Sequence, residues 1–423
     1  MTFKRVCLIF LIACSCSSHG QTSIKTMFYN LHNYDNSLES QSRTTYLKTI
    51  LEDIKPDLIM VCELKNETAS NYLFTNAVLP YNANFKAADF KYSQSPATSL
   101  LQMIYYNNNK LELEANEVIP TGIRDINHYT FKIKTSEISN TPIKIEVFVT
   151  HLKASRGTIN MDKRLASVSN FTRELDRLPA NSNVLFAGDF NFYTSNEDGF
   201  QEIIAPTNSI QIVDPINRLC PTFPEDGKDY YVDNYNSTYF WNNSSFADVH
   251  SQSTRSSSLT DGAGGGMDDR FDFIMMSKNL KEDSNLYYKT DTYKAFGNNG
   301  NCYNSYVSNN SCNGSFSQAV RNALYFFSDH LPIVMELETP QNTLTTVNNQ
   351  LSIVNSNIAT NYLTLQLAKN NSNKELVVYN QLGQEFIHKK TKKDKITLKT
   401  KELPKGIYYL KTKNSKPIKF IKI

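Results

Sequence analysis

Six short stretches of the 423-residue chain join an apolar run to a group that can bind a cation or move a proton. Strand-like residues 25–31 carry Asn30. Leu58-Ile-Met-Val-Cys-Glu63 ends in a carboxylate, and Val147-Phe-Val-Thr-His151 ends in an imidazole. Val184-Leu-Phe-Ala-Gly-Asp-Phe-Asn191 delivers Asp189 and Asn191. Arg270-Phe-Asp272-Phe-Ile holds an acid inside an apolar run, and Ser328-Asp329-His330 precedes the last apolar strand. Each alone has an ordinary explanation: a carboxylate at a strand end usually caps or is solvated, and a His after a Thr is usually structural. An acid within an apolar strand is costly unless paired, so Asp272 requires a partner. Together the six supply the parts for hydrolysing a phosphate ester. Glu63, Asp329 and the Asn30 amide are oxygen ligands suited to a hard divalent cation, Mg²⁺ first, with Mn²⁺ or Ca²⁺ as alternatives. A carboxylate can orient or deprotonate a water, and a His–Asp pair fixes one tautomer and raises its basicity. A second imidazole and an amide can donate to the charge of the transition state.

These groups must be brought together by rigid elements. Apolar runs at 25–31, 58–64, 100–106, 129–134, 143–150, 183–190, 271–277 and 332–337 read as strands. Leu47, Ile50, Leu51 and Ile54 fall at helical spacing within 41–54, and the same spacing recurs over 161–178. Many strands with few helices predict a mixed α/β layered domain. Segment 192–270 has few strand signals. Its aromatic residues Tyr230, Tyr231, Tyr235, Tyr239, Phe240 and Trp241 leave three readings open: an insertion packed on the core, a platform for bases, or a membrane-touching hairpin.

In this order the motifs Tyr29-Asn30, Pro56 to Glu63, Thr150-His-Leu152, Gly188-Asp-Phe-Asn191, Arg270-Phe-Asp-Phe273 and Ser328-Asp-His-Leu-Pro332 resemble the endonuclease/exonuclease/phosphatase superfamily, over 24–338. The resemblance implies a four-layer sandwich of two packed β-sheets flanked by helices. It implies Glu63 as principal metal ligand, helped by Asn30 and Asp329. Asp189 would position or activate water, Asn191 would contact the transition state, and His151 and the pair His330–Asp272 would bind phosphate and move protons. Tyr106, at the end of its strand, matches a phosphate-contacting Tyr loosely. Arg124 resembles a phosphate-binding Arg, or else forms an ion pair with Asp125, and Lys153 is another phosphate candidate. Members of this superfamily often carry Gln before the metal Glu; here it is Cys62.

The chain ends read differently. Composition is 40% hydrophobic and 12% aromatic, which excludes global disorder. Residues 341–423 hold 15 Lys against 4 acids, a net +11, and Lys4 and Arg5 add +2 in residues 1–20, so the overall +3 leaves −10 for residues 21–340. A bulk basic surface for phosphate chains is therefore excluded from the centre. Lys4-Arg5 before an apolar run predicts a signal peptide at 1–20, with a lipoprotein-type site at Cys14 as the competing processing point. No apolar run elsewhere is long enough to predict a membrane-spanning helix. Cys302 and Cys312 flank a polar loop and form the expected disulfide, worth ~2–3 kcal/mol, while Cys62 reads as a buried thiol. A Thr/Asn-rich stretch at 339–350 reads as a linker. Short alternating runs across 351–423 predict a small all-β sandwich with Lys on its polar face. Val378-Tyr-Asn-Gln-Leu-Gly383 and Leu403-Pro-Lys-Gly-Ile-Tyr-Tyr-Leu410 resemble the C-terminal sorting domain of type IX secretion cargo. That resemblance implies export, removal of the domain and a released or surface-attached product.

The expectation is thus a secreted, monomeric, divalent-metal-dependent phosphodiesterase occupying 21–338. Its most direct substrate is extracellular DNA or RNA, with sphingomyelinase-like or phosphoinositide-phosphatase-like chemistry as the alternative within the fold. A catalytically silent surface binding protein is the alternative of a different class. The secretion machinery is the partner implied by the tail.

Overall fold

The computed structural model describes residues 22–95, 99–134, 142–233, 237–259, 261–282, 285–339, 351–354, 356–367, 374–412 and 417–423. The expected signal peptide and residues 340–350 of the expected linker lie outside them. The chain separates into two compact units, one of residues 20–340 and one containing 341–423.

In the larger unit the strands are β1 (Ser23–Tyr34), β2 (Leu58–Leu64), β3 (Phe85–Ala87), β4 (Leu101–Asn107), β5 (Leu111–Ile119), β6 (Ile126–Ile133), β7 (Lys144–His151), β8 (Val184–Asp189), β9 (Ile212–Val213), β10 (Asp272–Ser277), β11 (Tyr287–Tyr288), β12 (Lys294–Ala295) and β13 (Ile333–Glu338). The helices are α1 (Leu38–Ile54), α2 (Glu67–Leu73), α3 (Leu79–Tyr81), α4 (Thr158–Leu175), α5 (Asp198–Ile204), α6 (Tyr230–Asp233) and α7 (Gln318–Phe327). One sheet runs β11-β13-β1-β2-β4-β3, with β12 also on β13, and the other runs β5-β6-β7-β8-β10-β9.

Strand periodicity sorts the side chains into layers. Ile145, Val147 and Val149 of β7, Leu185 and Ala187 of β8, and Ile274 and Met276 of β10 join Met27, Tyr29, Met60 and Ile104 of the other sheet in one core, which Leu47 and Ile50 of α1 and Leu324 of α7 extend. The alternate residues Phe148, Phe186, Phe273 and Met275 face away and pack on Val168 and Phe171 of α4 and Phe200 of α5. The result is the expected four-layer sandwich: helices, sheet, sheet, helices.

Two parallel joins place the functional ends. β1 and β2 are parallel, as are β7 and β8, with α1 and α4 making the crossovers. The C-terminal ends of all four strands therefore point to one edge of the sandwich. β13 and β10 run antiparallel to β1 and β8, so their N-terminal ends arrive at the same edge. The register is close: Asn30 lies opposite Cys62, His151 opposite Asp189, and Asp189 opposite Asp272.

The aromatic insertion is packed on the core. Trp241 is fully buried against Phe200 and Phe273, and its indole N–H donates to the Arg218 carbonyl at 3.1 Å. Cys302 and Cys312 form a disulfide across a Cα–Cα distance of 5.1 Å, and Cys62 is a buried free thiol whose pKa burial pushes well up.

The second unit contains a three-stranded and a five-stranded sheet. Leu363, Leu365 and Leu367 from one and Leu376, Val378, Leu410 and Phe420 from the other share a core, the small β-sandwich expected. No helix among the described residues is long and apolar enough to cross a membrane.

Candidate active site

At the common strand edge, the Asn30 amide Nδ2 donates to Glu63 Oε1 and Asp189 Oδ2, both at 3.0 Å, so one side chain from β1 tethers carboxylates from both sheets. Glu63 Oε2 accepts the backbone N–H of Asn33 at 2.7 Å. His151 Nε2 lies 3.4 Å from Asp189 Oδ2 and 3.9 Å from Glu63 Oε1. Asn191 Nδ2 donates to Asp189 Oδ1 at 2.8 Å. His330 Nδ1 donates to Asp272 Oδ2 at 2.7 Å, and the Ser251 hydroxyl donates to the same oxygen at 2.6 Å. The partner that Asp272 required in the sequence is thus His330. His330 Nε2 stands 3.8 Å from Asp189 Oδ2 and 2.6 Å from the Gln252 amide.

Backbone strain concentrates here. Glu63 (φ 59°), Asn191 (φ 54°), His32 (φ 52°) and Asn33 (φ 50°) are left-handed without being glycine. Such conformations cost roughly 1–3 kcal/mol each and persist only where the surroundings impose them. Regular pairing is interrupted after Asn30 on β1 and after Val61 on β2, which re-aims Glu63 at the Asn30 amide.

Burial and charge set the proton states. Burial pushes Asp189 up, as do the carboxylates of Asp272 and Glu63, while His330 opposes them; the outcome is about 7. Burial disfavours a charge on His330, but Asp272 and Asp189 outweigh it and hold the imidazole well above its ordinary value. His151 has no comparable partner. Burial, then Arg124 and His330, drives it well below the usual range, and its Nδ1 has no hydrogen-bond partner.

The donor set fits a hard cation. Ligand atoms of Glu63, His151 and Asp189 lie within 4.8 Å of one another, as do those of Asp189, Asp272 and His330. Glu63 and Asp189 share a single neutral amide, and Asp272 Oδ1 is buried without a partner, so this concentration of negative charge is under-compensated by the protein itself.

Not every predicted site residue joins this cluster. Asp329 belongs to neither group of ligand atoms. Its Oδ1 lies 3.1 Å from His32 Nδ1 and its Oδ2 accepts the Ala263 N–H at 2.7 Å. Burial alone would raise its pKa, but His32 and His330 hold it well below the carboxylate range. His32 also contacts Asp261 at 2.7 Å, which ties Asp329 to the glycine-rich loop. Gly262 there (φ +76°) has no room for a Cβ, which would meet His32 Cε1 at 2.6 Å and Asp329 Oδ2 at 2.8 Å.

Tyr106 is corrected. β4 is antiparallel to β2 and pairs Tyr106 with Leu58, so it stands at the opposite end of the sheet from Glu63. Its ring packs edge-on against Phe131 at 5.1 Å. Arg124 precedes β6, which runs antiparallel to β7, and so sits at the site edge; it donates to the Leu152 carbonyl at 2.8 Å. Asp125 instead accepts from Ser93, Ser95 and the Gln94 N–H. Lys153 is half-buried after His151; burial and then the Arg124 charge lower its pKa.

Ser251, Gln252 and His32 were not singled out in the sequence. Ser251 and Gln252 lie in a polar stretch without periodicity, and only the pairing of Gln252 with His330 brings that stretch to the site.

Residues 357–423 match the family model of the secretion system C-terminal sorting domain, in keeping with the sequence pattern. Among solved structures, the chain is similar to an endonuclease/exonuclease/phosphatase of Bacteroides vulgatus (16% identity, TM-score 0.47, 75% of this chain and 99% of that one). It is also similar to TDP2 of D. rerio in complex with a single-strand DNA product (14%, TM-score 0.46, 75% and 100%). The human nocturnin catalytic domain with bound sulfate is a third such structure (14%, TM-score 0.44, 75% and 97%). A search of curated proteins gives no match.

Proposed function

We propose that residues 21–338 form a divalent-metal-dependent phosphodiesterase that hydrolyses nucleic acid outside the cell. The observation that carries this reading is Asp189. It is a buried carboxylate set between two imidazoles, 3.4 Å from His151 Nε2 and 3.8 Å from His330 Nε2, and joined through Asn30 to Glu63.

Glu63, helped by the Asn30 amide oxygen, would hold the cation, and Mg²⁺ suits their oxygen-rich chemistry. When bound, it supplies Lewis-acid stabilisation of phosphate charge. Asp189 orients the attacking water and accepts its proton, a task for which a pKa near neutrality is suited. Asn191 holds the Asp189 carboxylate in place through its 2.8 Å hydrogen bond. His330, fixed by Asp272 and protonated, would donate from Nε2 to a phosphate oxygen as negative charge grows there, in place of its 2.6 Å contact with Gln252 Nε2. His151 binds beside it as a neutral donor. Arg124 and Lys153 supply positive charge at the rim, which the net −10 of the central region makes necessary. Asp329 acts through His32 by holding the glycine-rich loop. The strained residues weigh against a silent binding protein, because strain without function has no compensation.

The tail supports export through a type IX route, with the signal peptide removed on the way. The test is a plasmid-nicking assay on the secreted protein. Nicking should require Mg²⁺ and vanish with EDTA, Asp189→Ala or His330→Ala. Release of phosphocholine from sphingomyelin without any nicking would overturn the nucleic-acid reading.

A further inference from the structure

A cavity of about 280 Å³, close to the lower end of small-molecule sites at about 300 Å³, opens beside the loops that follow His151 and Asn191. Arg156, Tyr193, Tyr231 and Phe240 are among its lining residues. Its frame is a buried ion pair. Arg164 Nε and Nη2 donate to Glu197 Oε2 at 2.9 and 2.7 Å, with side-chain exposures of 0% and 2%. Arg164 Nη1 also donates to the carbonyls of Lys153 and Ser155 at 2.8 and 2.9 Å, and Glu197 Oε1 accepts the Tyr193 N–H at 2.9 Å. This one pair therefore locks the loop after β7 to the loop after β8.

What the locked loops present is suited to a flat ring. The exposed Arg156 guanidinium lies over the Tyr193 ring at 5.2 Å. Tyr231 stands edge-on to Phe240 at 6.0 Å and is fixed by its hydroxyl, which donates to the Asn196 carbonyl at 3.1 Å. Phenol rings and guanidinium planes are surfaces on which bases stack. Lys153 follows His151 within the loop that Arg164 clamps, and its charge is coupled to Arg124. The loop after β7 thus leads from His151 past Lys153 to Arg156 in the cavity wall, where Asp229 and Glu197 also line the cavity.

We propose that this cavity receives an unpaired nucleobase adjacent to the phosphate being cleaved, making the enzyme selective for single-stranded nucleic acid. The proposal rests on the phosphodiesterase reading above. Stacking of one base is worth about 1–3 kcal/mol, a factor of about 5 to 150.

The test compares a single-stranded oligonucleotide with an oligomer of the same length built from abasic units, using the full secreted protein. Tyr231→Ala and Arg156→Ala should reduce the preference for the base-bearing oligomer about 5- to 150-fold, through KM rather than kcat. Tyr231→Phe should retain it. Equal losses on both oligomers, or none, would overturn the cavity assignment while leaving phosphodiester hydrolysis intact. If the wild-type protein hydrolyses neither oligomer, the phosphodiesterase reading falls, and titration with AMP decides the cavity alone. AMP binding that Tyr231→Ala abolishes upholds the cavity; absence of AMP binding overturns it.

Discussion

Asp272→Asn removes the charge that holds His330 protonated while nearly preserving shape. Asp272 is completely buried and its Oδ2 accepts both His330 Nδ1 at 2.7 Å and Ser251 Oγ at 2.6 Å. Unit charges at that distance attract by roughly 6 kcal/mol at an effective dielectric of about 20. Burial offsets part of this, and breaking a buried pair costs about 3–5 kcal/mol net. The direction follows from burial, which lowers the His330 pKa once Asp272 no longer opposes it. Because the folded-state value is raised, this histidine's contribution to stability is complete below about pH 6.5 and is lost as pH rises through the folded value. The alkaline limb of kcat/KM should therefore shift to lower pH in Asp272→Asn, and kcat should fall about 10²- to 10⁴-fold. Denaturation at pH 6 and pH 9 should show the larger stability difference at pH 6. An unmoved alkaline limb, together with a stability loss independent of pH, would refute the assignment of Asp272 as the charge partner of His330.

Arg164→Met strands the buried Glu197 carboxylate and should destabilise the larger unit by about 3–5 kcal/mol by urea titration, with Glu197→Gln in the same chain restoring part of the loss. Adding Mg²⁺ to about 100 times its Kd should stabilise the folded protein by about 2.7 kcal/mol, and Glu63→Ala should sharply reduce the response. Tyr106→Phe should leave kcat/KM within about twofold of wild type, because that ring lies at the far end of β2 from Glu63. A large loss on that substitution would contradict the strand register.

The strands carrying the site were legible because each is buried along most of its length and is dominated by apolar residues: β2, β7, β8 and β10 fall within a residue of their expected limits. β5 was missed because Leu111–Ile119 is an edge strand with charges on its open face, and no apolar run marks it. Helix α4 begins at Thr158 rather than 161 and ends at Leu175 rather than 178, since the apolar face does not fix a terminus. Tyr106 misled for a topological reason. Position within a strand says which end a residue occupies, but the direction of that strand in the sheet decides whether that end meets the site.

The candidate site was written in residue type and order: Asn30, Glu63, His151, Asp189, Asn191, Asp272 and His330 stand out in the sequence, and the fold brings them together. Their partners were not written there. That Asn30 bridges Glu63 and Asp189, that Asp272 takes His330 and Ser251, and that Asp329 turns to His32 are contacts between residues far apart in the chain, the last joining position 32 to position 329. Such pairings depend on two parallel crossovers that bring six strand ends to one edge, and on local left-handed kinks that aim Glu63 and Asn191 across it. Apolar patterning fixes which segments become buried strands, because burial is a property each segment carries by itself. Charge compensation in the site is a property of the assembled sandwich, because it exists only when distant carboxylates and imidazoles are desolvated together.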